Sequence, residues 1–204
     1  GRPLDYGNYL YNNETSSSGY NPEQAKKILE DNGWTYSSNR WRKEIDGRYK
    51  TLNLELLVNL QNDERVKVAE LIKEQLSEIG INVKVSKISE EKYYSALENK
   101  EYQIIITGIY NSYSPDVSYF FGEGNISNYY NEKMLSIINS GISTKNQNGL
   151  KENYKEMLNI YKDEFPFIGL YRNKSTTITS NDLIGEIIIN NYTTLYNIEN
   201  WYRR

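Results

Sequence analysis

Residues 52–85, LNLELLVNLQNDERVKVAELIKEQLSEIGINVKV, decide the fold of this chain because three hydrophobic patterns follow one another within them. The first places apolar residues at every second position, the period of a half-buried strand: Leu52, Leu54, Leu56 and Val58. The second has helical spacing between an N-cap at Asn62 and a stop at Gly80: Ala69, Ile72, Leu76 and Ile79. The third alternates again: Ile81, Val83 and Val85. A strand, a helix and a strand in this order predict a right-handed βαβ unit with two parallel strands.

Two further elements are predicted before this unit. Asn21 is expected to cap a helix that carries Pro22 at its first position and ends at Gly33. Residues 35–50 are interpreted as a hairpin or loop whose turn lies at residues 46–47, Asp-Gly.

The segments that follow the unit complete its sheet. Residues 90–99 are predicted to form a short helix. Residues 103–109, QIIITGI, are apolar on both faces, which predicts a central strand. A single α/β domain in which the strands near 52–58, 81–88 and 103–109 share a parallel or mixed sheet is therefore expected.

The second half of the chain is predicted to be more helical. Apolar residues recur at helical spacing in residues 131–139 and 149–164, and a short extended piece follows at 167–172. The last apolar residues, in 187–189 and 195–201, have no evident partner strand.

Composition excludes several functional classes. The 204 residues contain no Cys and no His, which excludes thiol chemistry, Ser-His catalysis and the usual zinc sites. The net charge is -3 and no basic run is longer than two residues, so the footprint of a nucleic-acid-binding protein is absent. No purely aliphatic run is longer than three residues, the length of residues 104–106, which is too short to span a membrane.

Two classes stay open on residue patterns alone. A glycosidase needs only two carboxylates across a cleft, although the adjacent acid pairs of this chain lie at helix ends, where neighbouring side chains do not converge. An interaction module would use the 20 tyrosines and the apolar tail to bind another protein.

Four stretches, taken in order, carry a resemblance to a known family. They are residues 20–34 (YNPEQAKKILEDNGW), residues 65–85, residues 102–108 (YQIIITG) and residues 154–171, where a long helix ends at Pro166. In this order and spacing they resemble the bacterial extracellular solute-binding proteins, family 5, which serve dipeptide, oligopeptide and nickel ABC transporters. The resemblance covers nearly the whole chain and corresponds to the C-terminal lobe of such a protein.

The resemblance implies a fold and a domain organisation. The fold would be one α/β lobe of a periplasmic-binding-protein-like clamshell (type II, cluster C), with a central mixed or parallel sheet flanked by helices. Residues 1–19 would form a connecting arm, residues 20–185 the ligand-binding lobe, and residues 186–204 a tail that packs on the absent first lobe. The polar start of the chain shows no signal peptide, so the sequence is expected to be a fragment.

The resemblance also implies a ligand site in the loop after the strand at 103–109. Its candidate residues are Gly108, Tyr110, Asn111, Ser112, Tyr113 and Asp116. In the family this loop carries an Asp that pairs with the α-amino group of the peptide, and that position here is Ser112. Asp116 is the candidate substitute, because a buried ammonium needs a carboxylate partner. The chain departs from the family pattern at Ile109, where a Trp is usual, and at Gln103, where an Asp is usual.

The function implied by the resemblance is transport rather than catalysis. The protein would be the substrate-binding component of an ABC importer that captures oligopeptides, without a cofactor, and delivers them to a membrane permease. Its place would be outside the cytoplasm, as a lipoprotein on the outer face of the membrane or in the periplasm. An oligosaccharide, held by tyrosine rings and an Asn amide, is the alternative ligand within the family.

Overall fold

The fold is described from a computed structural model, which covers residues 10, 19–109, 114, 116–171, 176–188, 193 and 195–204. The chain divides into two units, residues 18–109 and residues 1–17 with 110–204, and each is described by itself. The predicted boundaries at residues 19 and 185 stay predictions. Along the chain, the two units are divided between residues 17 and 18 and between residues 109 and 110.

The predicted βαβ unit is confirmed in the unit formed by residues 18–109. Strand β4 (Asn53–Asn59) leads into helix α2 (Asp63–Glu78), and strand β5 (Asn82–Ile88) returns parallel to β4 in a register that pairs Leu54 with Val83. The Asn62 side chain accepts a hydrogen bond from the Arg65 amide at 2.9 Å, as expected for an N-cap.

The segment predicted to be a central strand is a short strand beside β4. Strand β6 (Ile104–Ile105) runs parallel to β4, and among the described strands the order β5-β4-β6 places β4 in the centre and β6 at an edge, contrary to the prediction. Apolar residues on both faces show that a strand is covered on both faces of the sheet, and they do not distinguish a central strand from an edge strand. The central place belongs to β4, whose last four residues, from Leu56 to Asn59, are all buried.

The predicted hairpin at residues 35–50 is a three-stranded antiparallel meander. It consists of β1 (Thr35–Ser37), β2 (Arg40–Ile45) and β3 (Arg48–Thr51), in the order β1-β2-β3. Residues 46–47 form the expected turn between β2 and β3, and both have positive φ angles, 52° and 70°.

Trp41 of β2 ties the meander to the core of its unit. It is 1% exposed, and its indole N–H donates to the carbonyl oxygen of Ile79 at 2.6 Å. Gly80 follows with a φ of 79°, and a Cβ there would overlap the ring of Tyr36, whose centroid lies 5.1 Å from that of Trp41. The end of α2 and the meander therefore share one contact surface.

The remaining helices of this unit follow their predicted bounds. Helix α1 (Pro22–Asp31) begins after Asn21, whose side chain accepts from the Gln24 amide at 3.0 Å. Helix α3 (Glu90–Asn99) connects β5 to β6 along the chain, and its residues Tyr93 and Ala96 are buried. The three strands predicted to share a parallel or mixed sheet are thus all parallel.

The second unit is built on two long helices, as predicted. Helix α5 (Glu132–Ser143) and helix α6 (Gln147–Glu164) begin after Asn131 and Asn146, which accept hydrogen bonds from the amides of Met134 and Gly149. A short helix that was not predicted, α4 (Ser118–Phe121), buries two phenylalanines against them. Phe120 stacks on Phe167 with ring centroids 4.9 Å apart.

The end of the chain has a partner strand, contrary to the sequence-based expectation. Strand β8 (Trp201–Arg203) pairs antiparallel with β7 (Leu183–Gly185), joining Ile184 to Tyr202. The partner was missed because β7 is only three residues long and follows a polar stretch that carries no strand period.

Helix α5 offers a stabilising substitution at Gly141. Among the described residues, a Cβ there would meet only the Asn153 amide nitrogen, at 3.8 Å, so Gly141→Ala should raise the free energy of unfolding by about 0.5 to 1 kcal/mol. Urea unfolding of the chain would measure this. Gly149→Ala in α6 is the matched control, because its Cβ would lie 2.7 Å from Thr144 Cγ2 and should cancel the gain.

Within the described residues, no helix combines the length and the apolar character needed to cross a bilayer.

Candidate functional site

The candidate site lies where the parallel strands of the first unit end. Ligands of open α/β sheets bind beyond the carboxyl ends of the strands. Here β4 ends at Asn59, a buried polar residue whose side chain accepts from the Gln61 amide at 2.9 Å. Helix α2 starts at the same edge, and the backbone that leaves β6 reaches Gly108 three residues later.

Arg65 and Tyr93 organise this edge through two hydrogen bonds. Nη1 of Arg65 donates to the Tyr93 hydroxyl at 3.2 Å, and that hydroxyl donates to the carbonyl oxygen of Ile106 at 3.0 Å. Tyr93 is 1% exposed, so its hydroxyl is satisfied inside the protein. A residue of α2 is thereby connected to the backbone that follows β6.

Gly108 lies directly against the guanidinium of Arg65. A Cβ at this position would overlap Nη2, and the three nearest heavy atoms all belong to the Arg65 side chain. The absence of a side chain at Gly108 is what leaves room for the guanidinium.

Asp116, in the second unit, supports the start of α4. Its Oδ1 accepts from the Ser118 amide at 2.9 Å, and its own amide donates to the Ser114 hydroxyl oxygen at 3.2 Å. Hydrogen bonds from the side chain and the backbone of Ser118 hold the pKa of the Asp116 carboxyl below its usual value, against a smaller opposing effect of burial. The carboxylate is therefore ionised at neutral pH, and it keeps further acceptor positions for a ligand.

The structure describes two of the six residues predicted for the site. Gly108 belongs to the unit of residues 18–109 and Asp116 to the other unit. The remaining four lie outside the described residues: Tyr110, Asn111, Ser112 and Tyr113. The proposed contacts of all six with a ligand stay predictions.

Sequence reasoning missed Arg65 and Tyr93. Arg65 stands in the first turn of α2 and Tyr93 in the middle of α3, where each reads as an ordinary helical residue. The available signal was their place next to the carboxyl ends of β4 and β6, which requires the strand order as well as the helix bounds.

Among the described residues, no group of three or more Asp, Glu, His or Cys side chains is arranged to hold a metal ion.

Comparison with known families decides the classification. The model of the family described as bacterial extracellular solute-binding proteins, family 5 Middle, matches residues 2–130, which is more than half of the chain. This chain belongs to that family. Family 5 members are extracellular solute-binding proteins, not enzymes.

Individual relatives agree with the family model. The oligopeptide-binding protein AppA of Bacillus subtilis (strain 168) is 24% identical over 208 residues, which cover 98% of this chain and 38% of AppA. The structure of AppA from Bacillus subtilis in complex with a nonapeptide matches with a TM-score of 0.75 at 21% identity, over 97% of this chain and 40% of that one. The chain therefore spans less than half the length of these relatives.

Other family 5 folds carry different ligands. NikZ from Campylobacter jejuni, in complex with Ni(L-His), matches with a TM-score of 0.74 at 19% identity, over 99% of this chain and 43% of that one. A periplasmic oligopeptide-binding protein from Thermotoga maritima, with mannohexaose bound, matches with a TM-score of 0.65 at 22% identity, over 76% and 31%. These likenesses confirm the predicted α/β lobe, and they leave the ligand of this chain to be proposed.

Proposed function

We propose that this chain is the second lobe of the substrate-binding component of an ABC importer, which closes with a first lobe around an oligopeptide. The family match over residues 2–130 carries the proposal, since it includes the whole βαβ unit and the segment that leaves β6. The position of Gly108 at the carboxyl edge of the sheet supports it on general grounds. On this proposal the chain binds a solute and catalyses no reaction.

The rest of the protein follows from the same proposal. Residues 20–185 form the ligand-binding lobe, residues 1–19 connect it to the first lobe, and residues 186–204 pack on that lobe. The partners are a solute, the first lobe and a membrane permease, and no nucleic acid is bound. The protein works outside the cytoplasm, anchored as a lipoprotein or free in the periplasm.

The proposed site uses the six residues Gly108, Tyr110, Asn111, Ser112, Tyr113 and Asp116. A peptide amine would be held by the Asp116 carboxylate, whose pKa is lowered and which stays charged at neutral pH. An oligosaccharide is the second candidate ligand, because Ser112 cannot neutralise an amine and tyrosine rings stack well on sugars. The mannohexaose in the Thermotoga maritima relative gives this candidate a precedent within the fold.

Calorimetry with a library of di- to hexapeptides tests the split site. The 204-residue chain should bind no peptide more tightly than about 100 μM, roughly 5.5 kcal/mol, because one lobe supplies only part of the contacts while the ligand loses its full translational freedom. The full-length parent should bind peptides at least tenfold more tightly. Low-micromolar binding by the chain alone would contradict the split site, and a parent that binds mannohexaose but no peptide would establish the alternative ligand.

A further inference from the structure

The contact between Arg65 and Gly108 links helix α2 to the first residues of the ligand segment. Among the described residues, only Arg65 has atoms near the position that a Cβ on Gly108 would take, and the nearest of them is Nη2. The φ angle of Gly108 does not lie in the left-handed region, so the backbone there would accept another residue without strain. Within the part of the chain that the structure describes, the guanidinium is the group that excludes a side chain at this position.

The other side of the same guanidinium is held in place by Tyr93. Nη1 donates to the Tyr93 hydroxyl at 3.2 Å, and the hydroxyl in turn donates to Ile106 O at 3.0 Å. Both neighbours, a hydroxyl and a glycine backbone, are neutral. The planar shape of the guanidinium, which can reach two sides at once, therefore matters more in this contact than its charge.

We propose that Arg65 is a positioning residue that fixes the backbone at residues 106–108, from which the ligand segment departs. The inference rests on the proposed function for its purpose, but its geometry belongs wholly to residues 18–109. Holding this backbone before the ligand arrives reduces the ordering cost of binding. We call the group formed by Arg65, Tyr93 and Gly108 the clamp. Within it, Tyr93 holds the guanidinium of Arg65 on the side away from Gly108.

Hydrogen exchange of the ligand-free 204-residue chain tests the clamp directly. Arg65→Lys keeps the charge but lacks the fork, so the amides of residues 106–109 should exchange about 5- to 10-fold faster, the effect of losing one hydrogen bond. Arg65→Ala and Tyr93→Phe should do the same. Exchange in Arg65→Lys equal to that of the wild type would overturn the proposal, since charge alone would then be sufficient.

Gly108→Ala provides a test that leaves Arg65 and Tyr93 in the protein. The added Cβ should push the flexible end of Arg65 aside, and exchange at residues 106–109 should again rise by about 5- to 10-fold. A Gly→Ala change by itself restricts the chain and should not speed exchange. Gly19→Ala is the matched control, because no described residue lies within 4 Å of its Cβ position and exchange at residues 106–109 should stay unchanged.

The double variant Arg65→Ala/Gly108→Ala separates positioning from general damage. Without the guanidinium the new Cβ meets no other described residue within 4 Å, so exchange should be no faster than in Arg65→Ala alone. Additive increases would overturn the clamp, because Gly108→Ala would then act on something other than Arg65.

Ligand affinity in the full-length parent then connects the clamp to function. With a nonapeptide as probe, Arg65→Lys and Gly108→Ala should each weaken binding by about 3- to 10-fold, and the double variant Arg65→Lys/Gly108→Ala should be no weaker than Arg65→Lys alone. If the unsubstituted parent does not bind the nonapeptide, the proposed peptide ligand fails, while hydrogen exchange still decides the clamp. Faster exchange with unchanged nonapeptide affinity would overturn the positioning role.

Discussion

Asp116→Asn in the full-length parent should weaken the binding of peptides with a free amino terminus by tens-fold or more. An ammonium closed inside a cleft needs a charge-assisted partner, and removing one member of such a pair costs roughly 2 to 5 kcal/mol. Asparagine is the informative substitution because its side-chain oxygen can still accept from the Ser118 amide, as Oδ1 of Asp116 does at 2.9 Å. The start of α4 is thus kept while the charge is removed.

Two controls separate the proposed role of Asp116 in holding the peptide amine from its role at the start of α4. Ser112→Ala should weaken peptide binding by only about 1 kcal/mol, because a neutral hydrogen bond is worth that much. Asp116→Ala should lower the thermal stability of the chain as well, whereas Asp116→Asn should leave it nearly unchanged. Calorimetry and thermal unfolding give the two readouts.

One outcome would contradict the assignment of the anchor. If Asp116→Asn and Ser112→Ala both bind peptides like the unsubstituted parent, the amine is held by the first lobe or the ligand has no amine. The oligosaccharide alternative would then be favoured and could be tested with mannohexaose.

Trp41→Ala should lower the free energy of unfolding of the chain by about 3 to 5 kcal/mol. Trp41 is 1% exposed, and its loss leaves both a cavity in the core cluster that includes Leu56 and Val58 and an unpaired carbonyl at Ile79. Trp41→Phe keeps most of the ring and should cost about 1 to 2 kcal/mol, mainly through the lost hydrogen bond.

Urea unfolding followed by circular dichroism measures this effect. Tyr49→Ala is the matched control, because Tyr49 lies on the same meander but is 76% exposed and should change stability by less than about 0.5 kcal/mol. If Trp41→Ala costs no more than Tyr49→Ala, the meander is not part of the core of its unit.

Local sequence patterns predicted the helices and strands that are determined by residues close together in the sequence. Asn21 and Asn62 were expected to cap helices. The side chain of each accepts a hydrogen bond from the amide of the residue three positions later, at 3.0 and 2.9 Å. The strands β4 and β5 could be paired in advance because a single helix connects them and its length leaves one sensible topology.

The features that were missed depend on contacts between distant residues. Trp41 meets Ile79 across 38 positions, and β7 meets β8 near the end of the chain. The position of β6 beside β4 depends on how all the strands of the sheet are ordered. The apolar character of residues 104–106 gives no information about that order.

The candidate site was predictable only in position. The family resemblance implied the loop after the strand at 103–109, including Gly108, and the general rule that ligands bind beyond the carboxyl ends of strands agreed with it. The clamp needed the side-chain geometry of α2 and α3, because Arg65 and Tyr93 are 28 positions apart. Asp116 was expected as an anchor on grounds of charge, and its bond to the Ser118 amide adds a second role that sequence did not indicate.

The contact of Gly80 with Tyr36 sets a rule for recombining family members. A Cβ at Gly80 would overlap the Tyr36 ring, which itself lies beside Trp41, so the meander and the α2–β5 turn are mutually fitted surfaces. Replacing only one of them would bring together surfaces that do not fit. A chimera that takes residues 35–51 from a relative should therefore take the α2–β5 turn from the same parent, whereas helix α1 can be exchanged with fewer consequences because none of its residues is buried.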